Sequence, residues 1–172
     1  MKQHENRFRG RAVGRASACA FLYGVIILGA GSGEAQSDGV CAKVGLRLDQ
    51  SAVMTRTAFR ATLEISNHDP ASPLQSIGAQ VEIKDATGEI ANSRFQIEAP
   101  TLDQIDRVDG HGTLQPSTTA TIRWLLIPSD EAAPTTNTEF YVGGQFSYTL
   151  GGLQAHVPLE PIKTTSWRPL LL

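Results

Sequence analysis

The chain has 172 residues, with 17 Asp and Glu against 15 Lys and Arg, a formal net charge of −2 and two cysteines. That length allows one domain, or one domain behind a processed leader. Residues 1–35 carry five basic and two acidic side chains and the remainder ten and fifteen. An acidic body with scattered Lys and Arg argues against nucleic acid, which needs clustered positive charge.

Residues 1–35 read as an export signal. Lys2, Arg7, Arg9, Arg11 and Arg15 precede an uncharged apolar run of 14 residues, Ala18 to Gly31, and small residues place cleavage after Ala35. As helix that run is about 21 Å long, short of the roughly 30 Å hydrocarbon core. Extended from Ala16 to Gly33 it almost spans, so an uncleaved anchor, the body's only expected link to a membrane, is the alternative. No paired arginines precede it, which disfavours twin-arginine export. The expected organisation is therefore a signal peptide at 1–35 and one domain at 36–172. Cys19 lies in the leader and Cys41 in the body, so no internal disulfide survives processing and the fold must rest on its apolar core. Cys41 is then either a small residue near the first strand or the bond of a disulfide-linked dimer.

In the body, side chains alternate between apolar and polar, the period of a half-buried strand. Cys41 to Leu48 sets Val44, Leu46 and Leu48 on one face. Ala58 to Asn67 alternates most cleanly, with Phe59, Ala61, Leu63 and Ile65 inward and Arg60, Thr62, Glu64 and Ser66 outward, as antiparallel sheets permit. The breaker-rich stretch from Asn67 to Pro73 is a loop. Ile77, Ala79, Val81 and Ile83 mark a third strand, and Asp85 to Gly88 has the composition of a hairpin turn. The return strand, Glu89 to Ile97, is weak and reads as an edge, with Asn92, Ser93 and Arg94 discouraging edge pairing.

Ala99 to Gly112 is the least regular part. Leu102, Ile105 and Val108 are three apart, which predicts a short helical turn ended by Gly110 and Gly112. Thr118 to Ile127 follows as a central strand, with Ala120, Ile122, Trp124 and Leu126 fully buried and the opposite face partly covered. Trp124 is the expected anchor between two sheets. Asp130 to Asn137 is a loop. Thr138 to Leu150 is a long strand interrupted by Gly143 and Gly144, which mark a bulge or a close backbone approach. Gly151-Gly152 make a hairpin to a strand carrying Leu153, Ala155, Val157 and Leu159. Pro158 and Pro161 put that strand at an edge or near its end. About seven strands without a long amphipathic helix predict an all-β antiparallel sandwich.

Three segments carry a resemblance. Phe59 to Asn67 (FRATLEISN), Gly112 to Pro116 (GTLQP) and Tyr141 to Tyr148 (YVGGQFSY) are similar to parts of bacterial immunoglobulin-like and fibronectin-III-like modules of large exported surface proteins. The likeness covers residues 41 to about 170 and lies in pattern, not chemistry. Such modules usually have Gly after the turn proline, where this chain has Ser117, and they usually sit in longer chains. The apolar ending Trp167 to Leu172 fits either a short free protein or a truncated reading frame. The resemblance implies a spacer or adhesion module with no catalytic residues to carry over.

Candidate chemistry is sparse. His68, His111 and His156 lack zinc-motif spacing, and Cys41 is remote from all three. Asp103, Asp106 and Asp109 recur at threes before Gly110. They form the one acidic cluster that could offer calcium several oxygens, although calcium loops space their acids by two. No nucleophile elbow and no phosphate-binding glycine loop is present in the body. The expectation is an exported, non-enzymatic immunoglobulin-like module, periplasmic, on the cell surface or secreted, without a cofactor. It would meet other protein modules or surface components through the edge at Glu89 to Ile97 and the loop 99–112. A small binding protein for carbohydrate or calcium, using that loop, is the alternative.

Overall fold

The computed structural model describes residues 42–168. The leader 1–35, Cys41 and the last four residues lie outside that range. Ten strands occur among the described residues: β1 Ala42–Leu48, β2 Ala52–Met54, β3 Phe59–Asn67, β4 Leu74–Asp85, β5 Phe95–Ile97, β6 Thr101–Asp103, β7 Asp109–Leu114, β8 Thr119–Pro128, β9 Thr138–Leu150 and β10 Leu153–Trp167. Sheet A runs β1-β3-β8-β5, with β6 also on β8, and sheet B runs β2-β10-β9-β4-β7. All pairs are antiparallel except the short one between β2 and β10.

The alternation in β3 and β8 does what it predicts. Phe59, Ala61, Leu63 and Ile65 are buried, and so are Ala120, Ile122, Trp124 and Leu126. The two strands pair without a break from Phe59↔Leu126 to Ser66↔Thr119. Trp124 is 4% exposed within the core cluster. Phe140, Val142, Phe146 and Tyr148 face them from β9. At one end of the core Phe95 of sheet A meets Phe140 of sheet B edge to face, with ring centroids 4.9 Å apart, a geometry the ring quadrupoles favour.

The two glycines of β9 serve close backbone approach. A Cβ on Gly144, whose φ is +142°, would lie 1.9 Å from the Gln80 carbonyl oxygen of β4. The bulge lies across from Gly143, in β10. Leu159 pairs with Gly144 and Ile162 with Val142, so Glu160 and Pro161 together oppose Gly143. Two residues against one reverse the parity of β10. Leu159 faces inward before the bulge, and Thr164 and Ser166 after it, both buried with hydroxyls that have no partner. The 150–153 hairpin turns on Gly151 and Gly152 with φ of +58° and +83°, the signs a two-residue type I′ turn needs.

Two expectations need correction. The stretch after the Asp85–Gly88 turn does not return along β4. It makes one bridge, Lys84↔Ile90, and crosses to sheet A, where β5 pairs with β8. Leu102, Ile105 and Val108 form no helical turn: Thr101–Asp103 and Asp109–Leu114 are strands on opposite sheets. Leu102 lies in β6 and Ile105 and Val108 in the connection to β7, Ile105 buried and the other two half-buried. The connection after β1 contains a strand, β2, whose Val53 is buried. The edge expected at Pro158 and Pro161 holds, and β10 runs on through both prolines to Trp167. It is an edge there, because β2 covers only Thr165 to Trp167.

Candidate functional site

The three aspartates are spread over β6, a loop and β7. Asp103 lies opposite Thr121 in register. The Asp106 carboxylate pairs with Arg107 Nε at 3.2 Å, and Asp109 Oδ1 accepts from the backbone N–H of His111 at 3.2 Å. Among the described residues no three His, Cys, Asp or Glu side chains are gathered to hold a metal ion. His68, His111 and His156 are all exposed, the first in a loop and the others on β7 and β10.

At the expected edge, Asn92 performs a task its composition did not reveal. Its Oδ1 accepts from the Ile83 backbone N–H at 2.7 Å and its Nδ2 donates to the Val81 carbonyl at 3.3 Å. One side-chain amide thereby stands in for a neighbouring strand where the chain leaves sheet B. Asn67 does the same for the loop after β3. It is 2% exposed, and its Nδ2 donates to the carbonyls of Ser72 at 3.0 Å and Gln115 at 3.1 Å. The signal for Asn67 was an Asn closing a strand before breakers; Asn92 had none.

Three titratable groups are shifted, each by a local partner. Backbone N–H groups of Ala71 and Ser72 hold the Asp69 carboxyl below the usual carboxylate range. The Thr87 hydroxyl does the same for Asp85, helped by the Thr87 and Glu89 N–H groups and by Arg94. Glu139, with an oxygen 2.5 Å away, raises Lys163. These contacts stabilise turns and a strand pair; Asp85 also lines a groove with Glu82 and Lys84, and Lys163 one with Glu160.

Three of the surface grooves are lined by described residues. One of about 570 Å³ follows the seam between edge strands β1 and β10, lined by Val44, Leu46, Val157 and Ile162. Another, about 450 Å³, lies on the outer face of sheet B between Tyr141, Glu82, Gln145 and the prolines of β10. The third, about 440 Å³, lies on the outer face of sheet A between Arg60, Arg123, Glu98 and Thr101, beside Leu125. Its two arginines come from adjacent strands: Arg60 sits opposite Leu125, and Thr62 opposite Arg123. The sequence showed both as outward residues but not their adjacency, which depends on the β3–β8 register.

No protein-family model matches the chain, and no curated protein does. Solved structures do. The cohesin module of a family 33 glycoside hydrolase from Clostridium perfringens aligns over 75% of this chain and 98% of its own, at 12% identity and a TM-score of 0.50. AggA, the major subunit of aggregative adherence fimbriae type I from Escherichia coli, aligns over 74% and 95% at 8% identity and TM-score 0.43. A PapD-like domain of human CEP192 aligns over 86% and 100% at 8% identity and TM-score 0.43. At these identities the likeness concerns the fold alone. The fold is an immunoglobulin-like all-β sandwich.

Proposed function

We propose that this chain is an exported, non-catalytic module with a structural or adhesion role, acting in the periplasm, at the cell surface or outside the cell. The leader composition at 1–35 supports export, and the likeness of Phe59 to Asn67 to immunoglobulin-like and fibronectin-III-like modules supports the modular reading. One observation carries the scaffold reading. Among the described residues, the buried polar side chains are Thr55, Asn67, Thr164 and Ser166, with the Tyr148 ring, and no Asp, Glu, Lys, Arg or His is buried. All charged chemistry sits on outer faces, edges and loops, where a rigid sandwich presents it to partners. The cohesin module, by its name, is one part of a larger enzyme, and a module carried beside other domains is the kind of role proposed here. Partners would be other protein modules or surface components, and Cys41 would permit a disulfide-linked dimer.

The test is expression of the full chain in a bacterial host, followed by fractionation and mass measurement. The expected product lacks residues 1–35 and lies outside the cytoplasm. An uncleaved chain retained in the cytoplasm would overturn the reading. Addition of calcium is expected to leave the melting temperature unchanged; a rise lost in Asp106→Asn would move the function to the 99–112 loop.

A further inference from the structure

Seven arginines lie among the described residues, and the guanidinium groups of five have an acceptor. Arg47 pairs with Glu64, Arg56 with Asp130, Arg94 with Asp85 and Arg107 with Asp106, while Arg168 donates to the Pro134 carbonyl. The guanidinium groups of Arg60 and Arg123 have none. These two are also neighbours: the register places them diagonally across one strand pair, a Cα separation of about 7–8 Å. Both line the sheet A groove. Two neighbouring guanidinium groups repel, and among the described residues neither is in an ion pair with a carboxylate, although Glu98 lines the same groove. A planar oxyanion between them would accept paired N–H bonds from both forks.

The rest of the groove narrows the class of anion. Glu98 lines it as well, and Asp103 lies one row away, opposite Thr121. Those acids and the acidic body oppose a ligand with many charges, such as a nucleic acid or polyphosphate. They suit a ligand with a single carboxylate next to hydroxyl groups. Glu98 would accept from such hydroxyls, and Thr101, directly opposite Arg123 in register, can donate or accept. Half-buried Leu125 supplies an apolar surface for the C–H face of a sugar ring.

We propose that the outer face of sheet A binds an acidic saccharide of the uronic-acid class, with Arg60 and Arg123 holding its carboxylate and Glu98 and Thr101 meeting its ring hydroxyls. This deepens the adhesion reading above and rests on it for an exposed sheet face. The test titrates the full chain with methyl galacturonoside, its methyl ester and a capped peptide with one glutamate, using Arg60→Gln, Arg123→Gln and Glu98→Gln, with melting curves confirming that each variant is folded. Methyl galacturonoside should bind. Esterification or either arginine substitution should weaken it about tenfold or more, the loss of one charge-assisted contact. Glu98→Gln should weaken the saccharide and not the peptide. Absence of methyl galacturonoside binding by the folded chain, binding indifferent to both arginines, or tighter binding of the peptide would each overturn the proposal. Cleavage of the glycoside would instead count against the non-catalytic reading and leave the groove in place.

Discussion

The β3–β8 ladder and the crossover from β4 to β7 are held by different physics. In the ladder, eight consecutive residue pairs carry apolar side chains inward at every second position, and stability comes from apolar area removed from water. That contribution is spread over many contacts, at about 25 cal/mol per Å². Across residues 86–112 the strands are three residues long or bent, and individual polar groups do the work. Asn92 completes the exposed edge of β4, and the Asp85 carboxylate collects the Thr87 and Glu89 N–H groups. Gly112 lets the Arg107 carbonyl come within 2.0 Å of where a Cβ would stand. The ladder should tolerate polar changes and suffer from lost volume; the crossover should do the reverse.

The largest expected effect is Trp124→Ala in the ladder, a loss of about 3–5 kcal/mol. Against a total of about 5–15 kcal/mol, the transition should fall sharply on thermal melting, and an unchanged transition would place this ring outside the core energetics. Next is Asn92→Ala. It leaves the Ile83 N–H and the Val81 carbonyl without partners at a part-buried site, costing about 1–3 kcal/mol. Urea denaturation would measure this, and a cost near zero would mean that water replaces the amide at no penalty.

Ser117→Gly acts at the turn that feeds β8. Ser117 has φ of +54°, a conformation that costs an L-residue about 1–2 kcal/mol. Glycine removes that strain but adds backbone entropy of about 0.5–1 kcal/mol. The expected net is a gain of about 1 kcal/mol or less. A loss would show that Ser117 contributes something besides backbone geometry.

The smallest effect concerns pH. The lowered carboxyls of Asp69 and Asp85 bind fewer protons folded than unfolded. Their stabilisation is therefore present above the ordinary carboxylate range and is lost as pH falls below about 4 and through their lowered folded values. Lys163 works in the opposite sense: its raised value gives stabilisation that is lost only as pH rises beyond the ordinary lysine range. Asp85→Asn should flatten the acid limb of a melting-temperature profile, and an identical limb would assign the acid sensitivity elsewhere.

What could be read from the sequence follows the same division. β1, β3, β4, β8 and β9 each hold three or more inward apolar residues at period two, so their existence and facing were legible, as was the Gly151-Gly152 hairpin. The proline edge of β10 was legible too. Its bulge was not, because Glu160 and Pro161 break parity without any change in composition. β2 has Val53 as its one buried residue, and β6 has only the half-buried Leu102, so neither shows a period at all. Ile105 and Val108 mimicked a helical spacing while lying outside any helix. As for the site, Arg60 and Arg123 were legible as outward residues. Their pairing is a property of the register, which links positions 63 residues apart in sequence.

Native-state amide hydrogen exchange tests the contrast most directly. Ladder amides at Leu63, Ile65, Ile122 and Trp124 should exchange only through global unfolding, with matching free energies. Those of Ile83 and Ala91, beside the Asn92 edge, should open locally at lower free energy. Equal protection in both regions, or weaker protection in the ladder, would contradict the division between a core set by apolar burial and a crossover set by single polar contacts.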